Sequence, residues 1–237
     1  MTYLKLDNVS LEYPLYNTEN TSIKHHLLHM ATGGRIAVDS QKKTVVKALS
    51  NISMDIKSGD RIGIVGHNGA GKSTLLRCIT GIYQPTSGTI ERQGTVAALM
   101  EIGAGMEPEL SGYNNIKRLL QLQDVSDDHA QSLTESIAEF TELQDFLSLP
   151  VRTYSSGMLM RLMFSVSTVS APDILVMDEF FSVGDDNFRK KAELRLTEHI
   201  NNSAILIFAS HNMELLKKFC NSFIRLDCGV IDTSYLC

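Results

Sequence analysis

Apolar residues fall along this chain in two rhythms. Leu4, Leu6 and Val9 alternate with polar neighbours, the period of a half-buried strand. Residues 45–56 also read as strand, and Ser58-Gly59-Asp60 turns the chain into Arg61-Ile62-Gly63-Ile64-Val65. That short apolar run is the signature of a strand buried on both faces, and Ile174–Met177 and Ile205–Ala209 repeat it. Residues 95–100 form a further strand. Helical stretches separate these runs. One begins at Leu75-Leu76-Arg77-Cys78-Ile79 and is followed by a turn at Thr86-Ser87-Gly88. Residues 112–147 interrupt the strand-rich pattern and predict a helical subdomain. Within them Ser126-Asp127-Asp128 marks a helix start, with Leu133, Ile137 and Phe140 at helical spacing. Another long helix opens after Ser155-Ser156-Gly157. Near the N-terminus, Ser22 caps a short predicted helix carrying Ile23, Leu27, Leu28 and Met30, broken at Ala31-Thr32-Gly33-Gly34-Arg35.

The chemistry collects where the buried strands end. After Val65 comes Gly66-His67-Asn68-Gly69-Ala70-Gly71-Lys72-Ser73-Thr74, a glycine, four residues, then Gly-Lys-Ser. Between a strand and a helix this spacing is a phosphate-binding loop. Its glycines let backbone N–H groups turn inward, and the helix start adds partial positive charge. Lys72 is then placed to reach β- and γ-phosphates, and the Ser73 hydroxyl to ligand Mg²⁺. Asp178-Glu179 ends another apolar strand, where two carboxylates are costly to bury without a use. The first suits Mg²⁺ and the second suits orienting or deprotonating water. The strand at 205–210 ends at His211. Glu101-Ile102-Gly103-Ala104-Gly105 is a glycine-flanked loop at a strand end. Ser155-Ser156-Gly157 reads either as an ordinary helix cap or as an anion-facing turn. Tyr13 or Tyr16 suits stacking on an adenine ring, or sits wet on an edge strand.

Composition narrows the partners. The chain has 237 residues, 43% of them hydrophobic, and a net charge of −5 without a long basic run. That charge argues against nucleic acid as a partner. No apolar stretch is long enough to span a bilayer, and the N-terminus lacks the apolar core of a secretory signal. A cytosolic or peripheral location follows. Cys78, Cys220, Cys228 and Cys237 form no Cys-x-x-Cys pair and read as reduced thiols. His25 and His29 have ligand spacing, but no carboxylate or cysteine completes a metal set, so they read as a polar helix face.

The order of phosphate loop, glycine-flanked loop, Ser-x-Gly turn, Asp-Glu strand and late histidine resembles the ATP-binding cassette ATPases over essentially the whole chain. The resemblance implies an α/β fold: a P-loop NTPase core, its mainly parallel sheet flanked by helices. An N-terminal antiparallel β-subdomain and a helical subdomain over approximately residues 112–170 complete it. It implies one nucleotide-binding domain over 1–237. Residues 66–74 match the Walker A loop and 174–178 the Walker B strand. Glu179 matches the catalytic base, 182–185 the D-loop and His211 the switch histidine. Tyr13 best matches the adenine-stacking aromatic. Ser155 and Gly157 match the signature that closes ATP bound to a second copy, head to tail. Glu101 stands where the family has glutamine and would meet the shell of Mg²⁺.

Tyr154-Ser155-Ser156-Gly157-Met158 with Arg161-Leu162, Glu101–Gly105 with Pro108-Glu109-Leu110, and Ser182-Val183-Gly184-Asp185 are similar to the polysaccharide-export branch. That branch implies export of a lipid-linked polysaccharide: O-antigen first, else capsule or teichoic acid. The cassette would sit peripherally on the cytoplasmic face of the bacterial inner membrane and drive an integral-membrane permease dimer. The branch carries an N-terminal insertion, here approximately 17–43. Some members add a C-terminal carbohydrate-binding domain; with the sequence ending at Cys237, none is expected here.

Overall fold

The computed structural model describes residues 1–14, 36–38, 44–100, 103–123, 125–178 and 186–232. The short predicted helix around Ser22–Met30, with His25 and His29, lies outside them, as do Tyr16, Glu101 and Glu179. The chain divides into two compact units. The first comprises Met1–Ala98, Pro172–Glu179 and Ala204–Cys237; the second comprises Leu99–Ala171 and Phe180–Ser203.

The first unit carries two sheets. β1 (Tyr3–Pro14), β2 (Ile36–Val38), β3 (Thr44–Lys57) and β5 (Ser87–Gln93) form one, in the order β2-β3-β1-β5. All its pairings are antiparallel. Leu4, Leu6, Val9 and Leu11 of β1 are buried between more exposed neighbours, the alternation of a sheet with one covered face. The predicted turn at Thr86-Ser87-Gly88 overlaps the first two residues of β5. β5 is almost wholly exposed, with Ile90 its one half-buried residue, so it shows no apolar rhythm. Gly88 holds φ at 81°, and a Cβ there would strike the Asn8 carbonyl oxygen.

The other sheet has the order β10-β9-β4-β8-β7-β6. Its strands are β4 (Arg61–Val65), β6 (Val96–Leu99), β7 (Ile174–Asp178), β8 (Ile205–Ala209), β9 (Ser222–Asp227) and β10 (Val230–Asp232). β9, β4, β8 and β7 run parallel; β10 turns back antiparallel to β9. All five residues of β8 and the first four of β7 are buried, as expected for strands covered on both faces. The Asp173 carboxylate accepts from the Thr95 N–H at 2.8 Å and its hydroxyl at 2.9 Å, fastening the start of β6 to that of β7. α1 (Lys72–Thr80) follows β4, and α6 (Met213–Phe219) follows β8.

The second unit is helical: α2 (Gly112–Leu122), α3 (Asp127–Thr141), α4 (Ser156–Ser167) and α5 (Asp186–Asn202), with 3-10 turns at Gln144–Ser148 and Val151–Thr153. Ile116, Leu120, Ile137, Leu147, Leu162 and Val166 lie in its core. Asn115 is fully buried there. Its amide nitrogen donates to the Glu107, Leu110 and Ser111 carbonyls at 3.0, 3.1 and 3.1 Å. Its oxygen accepts from the Glu107 N–H at 2.8 Å. One side chain thus fixes the whole 107–111 loop ahead of α2. Asn115→Ala leaves that N–H and those carbonyls without their partner, and should cost about 3 kcal/mol. Urea unfolding checks this, and a variant as stable as the parent would show that the loop finds its bonds elsewhere.

Candidate active site

The parallel register fixes where the site forms. Ile64 pairs with Ala209, and Ala209 pairs with Asp178. The C-terminal ends of β4, β7 and β8 therefore lie side by side, the edge at which open α/β sheets hold ligands. From that edge the chain leaves as Gly66, as the segment after Asp178, and as Ser210-His211.

Two glycines decide the shape of the phosphate loop. Gly69 and Gly71 have φ of 79° and 108°, on either side of Ala70. Alternation of this kind turns successive N–H groups towards one concave point. A Cβ on Gly71 would lie 2.9 Å from the Ala48 carbonyl oxygen, and one on Gly66 would collide with the Leu226 carbonyl oxygen. Ala70, fully buried, donates its N–H to the His67 carbonyl at 3.0 Å. α1 begins directly at Lys72, with Gly71 as its cap, so the N-terminal end of the helix opens into the loop.

Lys72 is only 8% exposed. Its ammonium donates to the Gly66 carbonyl at 2.7 Å and the His67 carbonyl at 3.3 Å. The cation is thus stored within the loop that would receive a phosphate. Ser73 Oγ donates to Asp178 Oδ2 at 2.5 Å, across 105 residues of sequence. A hydroxyl and a carboxylate converging at one point are oxygen donors of the type a hard divalent cation such as Mg²⁺ takes, and so fit it. His211 is exposed, between the end of β8 and Asn212. Asn212 caps α6 by accepting from the Glu214 and Leu215 N–H groups at 3.0 and 3.2 Å.

Tyr13 stands at the end of β1, 37% exposed, and shares a hydrogen bond with Thr74. Burial pushes its hydroxyl pKa up. Its ring lies edge-on to Tyr83, with centroids 6.1 Å apart and planes at 82°. The Arg77 guanidinium sits 5.6 Å from the Tyr83 ring centre. Tyr83 carries no motif in the sequence; the one signal for it is an aromatic three residues beyond the helix that follows the phosphate loop. His67 turns from the loop to the β9–β10 hairpin. Its Nε2 lies 3.0 Å from Asp227 Oδ1, and its Nδ1 lies 2.8 Å from the Asn68 carbonyl oxygen. The His67 ring, then the Cys228 thiol, hold the Asp227 carboxyl below the usual carboxylate range.

Ser155 and Gly157 belong to the second unit. Ser155 caps α4, its Oγ accepting the Met158 N–H at 3.2 Å. A serine oxygen used this way still has its own hydrogen to donate. A Cβ on Gly157 would meet only Ser155 Oγ, at 3.9 Å, so the first turn of α4 is open. Tyr154, just before the cap, donates its hydroxyl to the Phe146 carbonyl at 2.7 Å. Glu101, Glu179 and the segment 182–185 lie outside the described residues.

Known proteins share this organisation. Residues 49–182, more than half of the chain, match the ABC transporter family model. The chain is 52% identical over 231 residues to the O-antigen export system ATP-binding protein RfbE of Yersinia enterocolitica, covering 98% of this chain and 97% of that protein. It is 36% identical to the O-antigen export system ATP-binding protein RfbB of Klebsiella pneumoniae, over 94% of this chain and 89% of that one. Its fold matches the ATP-binding cassette MJ0796, solved as a dimer in a post-hydrolysis state bound to ADP and Pi. The TM-score is 0.68 at 18% identity, over 97% of this chain and 96% of that chain. The chain belongs to the ABC transporter family, as an ATP-binding and ATP-hydrolysing subunit.

Proposed function

We propose that this chain powers export of a lipid-linked polysaccharide, O-antigen, across the bacterial inner membrane. The observation that carries this reading is the 52% identity, over nearly its whole length, to an O-antigen export ATP-binding protein.

The chain's own residues supply the parts of an ATP cycle. Residues 66–74 and the start of α1 receive the phosphates, and Lys72 exchanges the Gly66 and His67 carbonyls for the β- and γ-phosphate oxygens. Tyr13, backed by Tyr83, takes the adenine face. Ser73 and Asp178 would hold Mg²⁺, with Glu101 near its shell; the ion neutralises phosphate charge. Glu179, next to Asp178, takes the proton of the attacking water, and His211 senses the γ-phosphate. The site is closed by a second copy, head to tail. Ser155 donates its remaining hydroxyl hydrogen, and the open turn at Gly157 offers N–H groups at a helix start.

Among the described residues no helix is long and apolar enough to cross a membrane. A separate integral-membrane permease dimer carries the glycan, and this chain sits peripherally on the cytoplasmic face. The second unit supports a docking role. Tyr113, Leu122, Phe146 and Leu149 are large apolar side chains left exposed there. They accompany the loop that Asn115 fixes.

The Glu179→Gln variant tests the reading. It should bind ATP and lose turnover by about 10²- to 10⁴-fold. It should then accumulate as a closed dimer, and with ATP in detergent-solubilised membranes it should capture a multi-spanning permease. Full turnover would sink the role of Glu179, and recovery of ribosomes or DNA would overturn the export reading. Lys72→Ala should weaken ATP binding by about 10- to 100-fold through lost charged hydrogen bonds. Unchanged nucleotide affinity by calorimetry would contradict the loop assignment.

A further inference from the structure

His67 is the one phosphate-loop side chain that joins the β9–β10 hairpin through its ring, and its two nitrogens set a chemical problem. Nδ1 faces the Asn68 carbonyl oxygen at 2.8 Å. A carbonyl oxygen only accepts, so Nδ1 carries the hydrogen. In the neutral ring Nε2 then presents a lone pair, and it faces a carboxylate oxygen of Asp227 at 3.0 Å. With a neutral ring two lone pairs meet there, so either a second ring proton or a bound cation lies between them. The Cys228 thiol completes the surroundings: one ligand atom each from His67, Asp227 and Cys228 all lie within 4.8 Å of one another.

The scaffold holds this set in place. Val230 pairs with Asp227, leaving Cys228-Gly229 as a two-residue hairpin loop. Both residues have positive φ, 47° and 79°. A turn of this kind prefers asparagine before glycine, because among residues with a Cβ asparagine, whose short polar side chain bonds locally, best tolerates the left-handed region. Cysteine takes that position here, with its thiol near the Asp227 carboxylate. The hairpin is tied to the phosphate loop, since Gly229 N–H donates to the Ala70 carbonyl at 2.8 Å. It is also tied to β3, since Ser50 N–H donates to the Gly229 carbonyl at 2.8 Å. The two segments that supply the ligand atoms are therefore braced against each other. His67 and Asp227 are each about half exposed, which leaves water access to a fourth position.

The geometry points to a divalent transition-metal site of the Zn²⁺ class, held by His67 Nε2, an Asp227 carboxylate oxygen and Cys228 Sγ. A nitrogen, oxygen and sulfur set selects a borderline metal of this kind, whereas Mg²⁺ takes oxygen donors such as Ser73 and Asp178. The site stands on its three side chains and is independent of the ATP and export readings. Through His67, whose carbonyl also accepts from Lys72, a bound metal braces the phosphate loop.

The test uses the full, untagged, metal-stripped chain without nucleotide, titrated with Zn²⁺ in calorimetry against a background of Mg²⁺. One Zn²⁺ should bind per chain. It should shield the Cys228 thiol from iodoacetamide, as read by peptide mass mapping, while leaving Cys220 labelling unchanged. Mg²⁺ alone should give no shielding. Cys228→Asn keeps a residue that the turn favours, and Asp227→Asn keeps the side-chain shape; each should weaken Zn²⁺ binding by about tenfold or more. The wild-type shielding measurement needs no variant to fold. Absence of Zn²⁺ binding, Cys228 alkylation indifferent to Zn²⁺, or undiminished binding by Cys228→Asn each overturns the site, and a proton then fills the gap between His67 and Asp227.

Discussion

The parallel pairing of β4, β8 and β7 is the constraint on which the first unit depends. Buried on both faces, these strands cannot slip by one residue without turning side chains of one covered face onto the other. Their register places Ile64, Ala209 and Asp178 in one row. The phosphate loop, the acidic strand end and the histidine segment then emerge at one edge without further guidance. The bond between Ser73 and Asp178, residues 105 positions apart, is a consequence of that row. The shape of the loop has other supports: Gly66 packs against the Leu226 carbonyl of β9 and Gly71 against the Ala48 carbonyl of β3, where no side chain fits.

The helical unit meets a different demand. It presents a helix start and an apolar surface, and both need firm backbone behind them. Asn115 supplies that for the loop before α2, and Tyr154, next to the Ser155 cap, bonds back to the 3-10 turn at Gln144–Ser148. The two roles assigned to Ser155, helix cap and phosphate contact, are compatible because one uses the oxygen and the other the hydrogen.

How much of this could be read in the sequence follows from what each feature looks like locally. The α/β fold was legible because β4, β7 and β8 are continuous apolar runs, each ending in chemistry. Residues 66–74 were legible because the loop's function lies in its spacing. β5 escaped because an exposed strand at a sheet edge has no apolar period. The β9–β10 hairpin escaped because its turn is Cys-Gly where Asn-Gly would have marked it. Asn115 looked like one polar residue among Tyr113-Asn114-Asn115, since burial of an amide that bonds loop carbonyls leaves no local trace. His67 and Asp227 are 160 residues apart, so only the fold brings them together.

The measurement that tests the central claim most directly is the fate of the glycan when this chain is depleted in the cell that makes it. The account predicts that O-antigen disappears from the cell surface while lipid-linked polysaccharide accumulates at the cytoplasmic face of the inner membrane. Surface O-antigen that persists unchanged, with no accumulation inside, would contradict it.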